Sequence, residues 1–127
     1  MAKILAIDDD AAILNMIGNI LGKDGHEVTK VSDPLKLDRT KLGEYDLILL
    51  DVMMPGMDGF QLCEKIRGLV DCPILFLTAK AEEGSLVNGL AIGADDYITK
   101  PFNILEVKAR IKAIMRRAGS DHEEKEK

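Results

Sequence analysis

Four apolar runs in this chain each end on a polar residue able to do chemistry. Ile4-Leu5-Ala6-Ile7 leads into Asp8-Asp9-Asp10, Leu47 to Leu50 into Asp51, Ile74 to Leu77 into Thr78, and Tyr97-Ile98-Thr99 into Lys100-Pro101. Short apolar runs separated by helix-period segments read as parallel strands buried on both faces, which sets their carboxyl ends along one rim of one sheet. Ligands of open α/β sheets bind at that rim. Carboxylates, a hydroxyl and an ammonium meeting there suit a divalent cation together with a phosphoryl group. Crowded carboxylates repel one another, and magnesium, a hard cation with oxygen ligands, is the expected relief.

Each residue taken alone also has a plain structural reading. Acids at 8 to 10 fit the first turn of a helix, where the helix dipole favours negative charge, and Asp10 keeps that reading. Asp51 also fits a turn ahead of Pro55-Gly56, Thr78 a helix cap, and Lys100 a solvated loop lysine. Met53, Met54 and Met57 read as gap-fillers, and neither His26 nor His122 is assigned a role.

The elements that must position these residues alternate regularly. Ile13, Leu14, Ile17, Ile20 and Leu21 lay an apolar stripe along one helix that ends near Gly22 to Gly25. Glu27 to Val31 is a second strand, polar enough at Thr29 and Lys30 for a sheet edge. Asp33-Pro34 resembles a capped helix start, with the helix running to about Gly43. Asp46 to Leu50 is strand three. Leu62, Ile66 and Leu69 give a third helix after the Pro55-Gly56 loop. Strand four is Pro73 to Leu77, helix four Glu82 to Ala91 and strand five Asp96 to Thr99. Asn103 with Glu106 opens a last helix to about Arg117. From Gly119 to Lys127 there is no apolar residue and the charge is dense, which predicts a disordered tail or the start of a linker after a domain of residues 1–118.

At 127 residues, one domain is expected, burying about two thirds of its unfolded surface. Cys63 and Cys72 lack metal-type spacing and read as free packing thiols of a reduced, cytoplasmic chain. The first apolar run is broken at Asp8, short of a signal peptide, and nothing approaches a membrane span. A formal net charge of −5 argues against this segment itself holding a nucleic-acid backbone, which calls for a basic surface.

The ordered set of strand ends resembles the receiver domain of two-component response regulators: Asp8-Asp9, then Asp51 with Met54-Pro55-Gly56-Met57-Asp58-Gly59 behind it, Thr78-Ala79, and Lys100-Pro101-Phe102. The match covers about residues 3 to 118. The stretch Gly93 to Phe102 is similar, more narrowly, to the OmpR/PhoB subfamily, whose members carry a DNA-binding domain after the receiver. The resemblance implies an α/β, flavodoxin-like (CheY-like) doubly wound fold: a five-stranded parallel sheet of order 2-1-3-4-5 with five helices. It implies Asp51 as phosphoacceptor, with Mg2+ (or Mn2+) ligated by Asp9, Asp51 and the Met53 backbone carbonyl and by Asp8 through water. Lys100 and Ala79 contact the phosphoryl group, while Thr78 and Tyr97 act as the switch. The expected partners are a sensor histidine kinase and a second copy of the chain, with DNA reached only through a downstream domain absent here. The phosphorylation-dependent dimer would use helix four, strand five and helix five: an apolar patch of Val87, Leu90 and Ala113, bridges of Asp96 with Arg110 and Asp95 with Arg117 across the two-fold, and Glu106 facing Leu86 where a basic residue is usual. The chain is then not a turnover enzyme; it catalyses only its own phosphorylation and slow dephosphorylation.

Two alternatives stand beside this. A stand-alone receiver would dock to a target protein. A haloacid dehalogenase-type phosphatase would use Asp8 as nucleophile and Asp10 as acid, but it leaves Asp51 without a job.

Overall fold

The computed structural model describes residues 2–54, 57–79, 95–100 and 103–126; of 53–54, 57–58, 79, 99–100, 104 and 117–126 the backbone alone is described. Five strands, β1 (Lys3–Ile7), β2 (Glu27–Val31), β3 (Leu47–Asp51), β4 (Ile74–Ala79) and β5 (Asp96–Lys100), pair in parallel in the order β2-β1-β3-β4-β5. This is the expected doubly wound sheet, with β2 at an edge. The chain leaves β1 toward β2 on one side and returns past it to β3 on the other, so the crevice opens at the carboxyl ends of β1 and β3.

The two-residue period of the strands divides the core. Ile4 and Ala6, Leu47 and Leu49, Leu75 and Leu77 pack with helices α1 (Ala11–Lys23) and α3 (Ile104–Glu126) on one face. Leu5 and Ile7, Ile48 and Leu50, Ile74 and Phe76 pack on the other with Leu42 and with helix α2 (Gly59–Arg67). Every residue of β3 is buried, which is why its Leu-Ile-Leu-Leu run shows no polar alternation. Each such side chain contributes about 1.5–3 kcal/mol on burial.

Helix α1 begins where Asp10 accepts from the amides of Ala12 (2.9 Å) and Ile13 (3.4 Å). It ends in a Schellman turn: Gly25 takes φ +88°, its amide donates to the Gly22 carbonyl (3.0 Å), and the His26 amide donates to Leu21 (3.1 Å). Only a residue without Cβ adopts that φ cheaply.

Two expectations are corrected. The helix predicted after Asp33-Pro34 is instead two short 3-10 turns, Pro34–Lys36 and Arg39–Glu44. Asp38 acts as a second cap, accepting from the Thr40 amide at 3.0 Å, and Leu37 between the turns is extended. Local Asx capping here outcompetes a continuous helix. Leu69 lies past the end of α2 and is 53% exposed, while Val70 is buried in its place. The backbone of α3 runs on to Glu126. Extending a formed helix adds one bond per residue fixed, Glu and Lys are good helix formers, and the interruption at Gly119 costs only about 1 kcal/mol. Helix four at 82–91 lies outside the described residues. Among the described residues, no helix is long and apolar enough to cross a membrane.

Candidate functional site

Ile7 stands opposite Leu50 in the β1–β3 register, so Asp8 and Asp51, each one residue further on, reach the rim side by side. Asp8 is fully buried and Asp51 is 3% exposed, whereas Asp9 faces solvent. One carboxylate oxygen from each of the three lies within 4.8 Å of the others. Asp8 is held by two backbone bonds: its amide donates to the Val31 carbonyl (3.1 Å), and its Oδ1 accepts from the Asp10 amide (2.9 Å). The Asp-Asp-Asp run therefore divides, with two acids in the cluster and Asp10 capping α1. Three hard oxygen donors at this spacing fit a small divalent cation.

Asp51 pairs with Leu77, which sets the fully buried Thr78 one residue beyond, at the end of the neighbouring strand. Thr78 pairs in turn with Thr99, and Ala79 with Lys100. The sheet thus brings Asp8, Asp9, Asp51, Thr78, Ala79 and Lys100 to a single rim. Beyond Asp51 the chain makes a small hairpin in which Met53 pairs with Asp58 and Met54 with Met57. It returns at Gly59, whose amide donates to the Val52 carbonyl at 2.7 Å. Pro55, Gly56, Lys80, Pro101 and Phe102 lie outside the described residues.

Tyr97 is half-buried against the core on the α2 side. The Arg110 guanidinium lies 5.7 Å from its ring centroid and pairs with Asp96 of the same chain at 3.2 Å. Asp95 is occupied as well: Oδ2 accepts from Arg67 (3.3 Å) and from the Ile74 amide (2.9 Å). The acids expected to bridge two copies therefore have partners inside one chain. Glu106 is exposed and Ala113 half-buried on α3; Leu86, Val87 and Leu90, and the Arg117 side chain, lie outside the described residues.

Two residues were not singled out from the sequence. Arg67, which also donates to the carbonyls of Val70 (3.2 Å) and Cys72 (2.6 Å), ties the end of α2 to β4, and a lone arginine carries no sequence signal for that. Gly59 stands in the sequence only as the last residue of the Met54–Gly59 motif, although its place between a strand-end acid and a helix start is a usable clue.

The acidic cluster thus lies at the switch point of a doubly wound 2-1-3-4-5 sheet, with a buried threonine on the adjacent strand. The response regulator receiver domain family model matches residues 4–112, and the chain belongs to that family. It is 56% identical over 121 residues to the transcriptional regulatory protein SpaR of Bacillus subtilis, covering 95% of this chain and 55% of SpaR. With the alkaline phosphatase synthesis transcriptional regulatory protein PhoP of Bacillus subtilis the identity is 46% over 118 residues, 91% of this chain and 49% of PhoP. The crystal structure of a two-component response regulator from Clostridium difficile superposes with a TM-score of 0.85 at 35% identity, covering 92% of this chain and 98% of that one. The chain spans about half the length of these curated relatives.

Proposed function

We propose that this chain is a phosphorylation-controlled switch in which Asp51 accepts a phosphoryl group from a sensor histidine kinase. The observation that carries this is the buried Asp51 carboxylate at the end of the central strand, within 4.8 Å of Asp8 and Asp9. An Asp51 oxygen forms the bond to phosphorus as the bond from phosphorus to the donor nitrogen breaks, so the side chain is a nucleophile and the kinase imidazole the leaving group. Asp9, Asp51 and the Met53 carbonyl would hold Mg2+, or Mn2+ in its place, with Asp8 acting through water. The ion's chemistry there is neutralisation of charge on the phosphoryl oxygens. Lys100 supplies the second positive charge from the end of β5, and the Ala79 amide a further contact. The Thr78 hydroxyl donates to a phosphoryl oxygen and draws in the loop after β4, giving Tyr97 room to turn inward.

The output is a dimer through helix four, β5 and α3, in which Asp96 and Arg110 exchange their pairing within one chain for pairing across the two-fold. Arg117 of the second copy would add to Asp95. A DNA-binding domain beyond Lys127, reached through a linker that starts at 119–127, would make the parent a cytoplasmic transcription factor. SpaR and PhoP, about twice as long and named as transcriptional regulators, support that reading. Intact mass after incubation with acetyl phosphate and magnesium should show one added phosphoryl group, mapping to Asp51. Labelling at Asp8 would support a phosphatase-type nucleophile instead, and an unlabelled protein would defeat the reading.

A further inference from the structure

A Cβ built on Gly59 would overlap the carbonyl oxygen of Asp51 and sit 2.8 Å from the Val52 Cα and 2.9 Å from the Asp51 carbonyl carbon. All three atoms are backbone, which cannot swing aside as a flexible side chain can. Gly59 is buried and opens α2, and its amide holds the Val52 carbonyl at 2.7 Å. Between these two points the chain folds into the Met53–Met54 and Met57–Asp58 hairpin. The segment that carries both Asp51 and the Met53 carbonyl is therefore a short loop closed on itself, and its closing contact tolerates no side chain.

From this geometry we infer that Gly59 is a positioning residue for the acceptor site: the missing side chain lets the start of α2 press on the Asp51 backbone and fixes the Asp51 carboxylate and Met53 carbonyl against Asp8 and Asp9. The inference rests on the acceptor reading of Asp51 above. Gly59 touches neither ion nor phosphoryl group and acts through the backbone of residues 51 to 53. A methyl group there must displace the Asp51 carbonyl or lift α2 from the strand end. Displacement of a nucleophile by about 1 Å costs on the order of 100-fold in rate.

Gly68, just past the end of α2, supplies the control, because a Cβ there meets nothing within 4 Å. In Gly59→Ala, magnesium affinity measured by calorimetry should fall at least tenfold, and the rate of labelling by acetyl phosphate at saturating magnesium should fall about 100-fold. Gly68→Ala should match the parent in both. A merely structural glycine would lower the melting temperature of Gly59→Ala while leaving magnesium affinity and labelling rate within twofold of the parent, and that result overturns the inference. Should Gly59→Ala not fold, the parent decides. Its Gly59 amide should be protected from exchange, and its NMR signal should move on magnesium titration with the same midpoint as those of Asp51 and Val52. A freely exchanging or unmoved Gly59 amide counts equally against it. If the parent is not labelled at Asp51 the acceptor reading fails; if it is labelled and Gly59→Ala behaves identically, only the present inference fails.

Discussion

Arg110 and Asp96 are paired within one chain, a single guanidinium nitrogen lying 3.2 Å from one carboxylate oxygen and 3.3 Å from the other, and the same guanidinium covers the ring of Tyr97. The pair is partly solvated, with side-chain exposures of 38% and 24%, so its own worth is small. Exposed ion pairs contribute about 0.2–1 kcal/mol, and a partly exposed cation–π contact about 0.5–1 kcal/mol. Arg110→Ala should therefore lower the unfolding free energy of the unphosphorylated chain by about 1 kcal/mol and leave Tyr97 more mobile, as read by denaturant unfolding and by the NMR linewidths of its ring. Unchanged linewidths would mean that Arg110 does not restrain the ring. In the beryllofluoride-treated protein, Arg110→Glu should block dimerisation by placing like charges opposite each other, with sedimentation as the measurement.

Asp51→Asn tests the electrostatics of the acidic pocket without metal. Three carboxylates share a space in which each offers an oxygen within 4.8 Å of the others, and removing one charge relieves repulsion on the order of 1 kcal/mol. The variant should melt higher than the parent in a chelator, and that advantage should shrink or reverse when magnesium is added, because the parent gains more from the ion. A variant that melts lower than the parent in chelator contradicts this.

The parallel strands, the edge placement of β2 and the gathering of Asp8, Asp9, Asp51 and Thr78 at one rim were legible because they depend on apolar runs and on what ends them, whereas the strand order 2-1-3-4-5 came from the resemblance to receiver domains. A run such as Leu47 to Leu50 fixes burial and strand character, and connectivity then leaves few ways to arrange the carboxyl ends. The segment after Asp33 was not legible, because the choice between one helix and two 3-10 turns depends on Asp38 competing for a nearby amide, a local contest with little free-energy margin. Gly59 was missed for a different reason. Its role is an absence of atoms at a contact between residues eight apart in sequence, which no periodicity reports. Asp96 opens β5 as expected, with Asp95 just before it, but their partners within the chain, Arg110 and Arg67, come from separate helices and are not legible from spacing.

The two cysteines give a pH-linked expectation. Burial, opposed by the Arg67 guanidinium, pushes the Cys72 thiol up to about 11 from 9.0, and burial likewise raises Cys63. A raised folded-state value means that the folded form binds its proton more tightly than the unfolded chain. The associated stability is thus fully present below about pH 9 and is lost as pH rises toward 11. At pH 8 the Cys72 thiolate should be about 100-fold scarcer than in an ordinary thiol, and only the thiolate reacts. Iodoacetamide should therefore modify neither cysteine of the native protein at the rate of free cysteine, while both should react promptly in denaturant. Fast native alkylation at Cys72 would show that its surroundings are more open than the structure has them.

The lifetime of the phosphoryl group should depend on Met53. Its backbone opens the hairpin two residues beyond Asp51, and hydrolysis requires a water aligned for attack on the phosphorus opposite the Asp51 oxygen. A thioether accepts hydrogen bonds weakly and donates none, so Met53 cannot orient that water, whereas an amide side chain at the same position can both donate and accept. Positioned proton acceptors and water-orienting groups contribute roughly 10²–10⁴-fold when well placed, and a side chain not shaped for the task should give less. Met53→Asn should therefore shorten the phosphorylated half-life by about tenfold, with the labelling rate nearly unchanged because the Met53 backbone carbonyl is retained. Decay of the intact-mass adduct after removal of acetyl phosphate measures the half-life directly. Equal decay in parent and variant would show that position 53 does not govern access of the hydrolytic water.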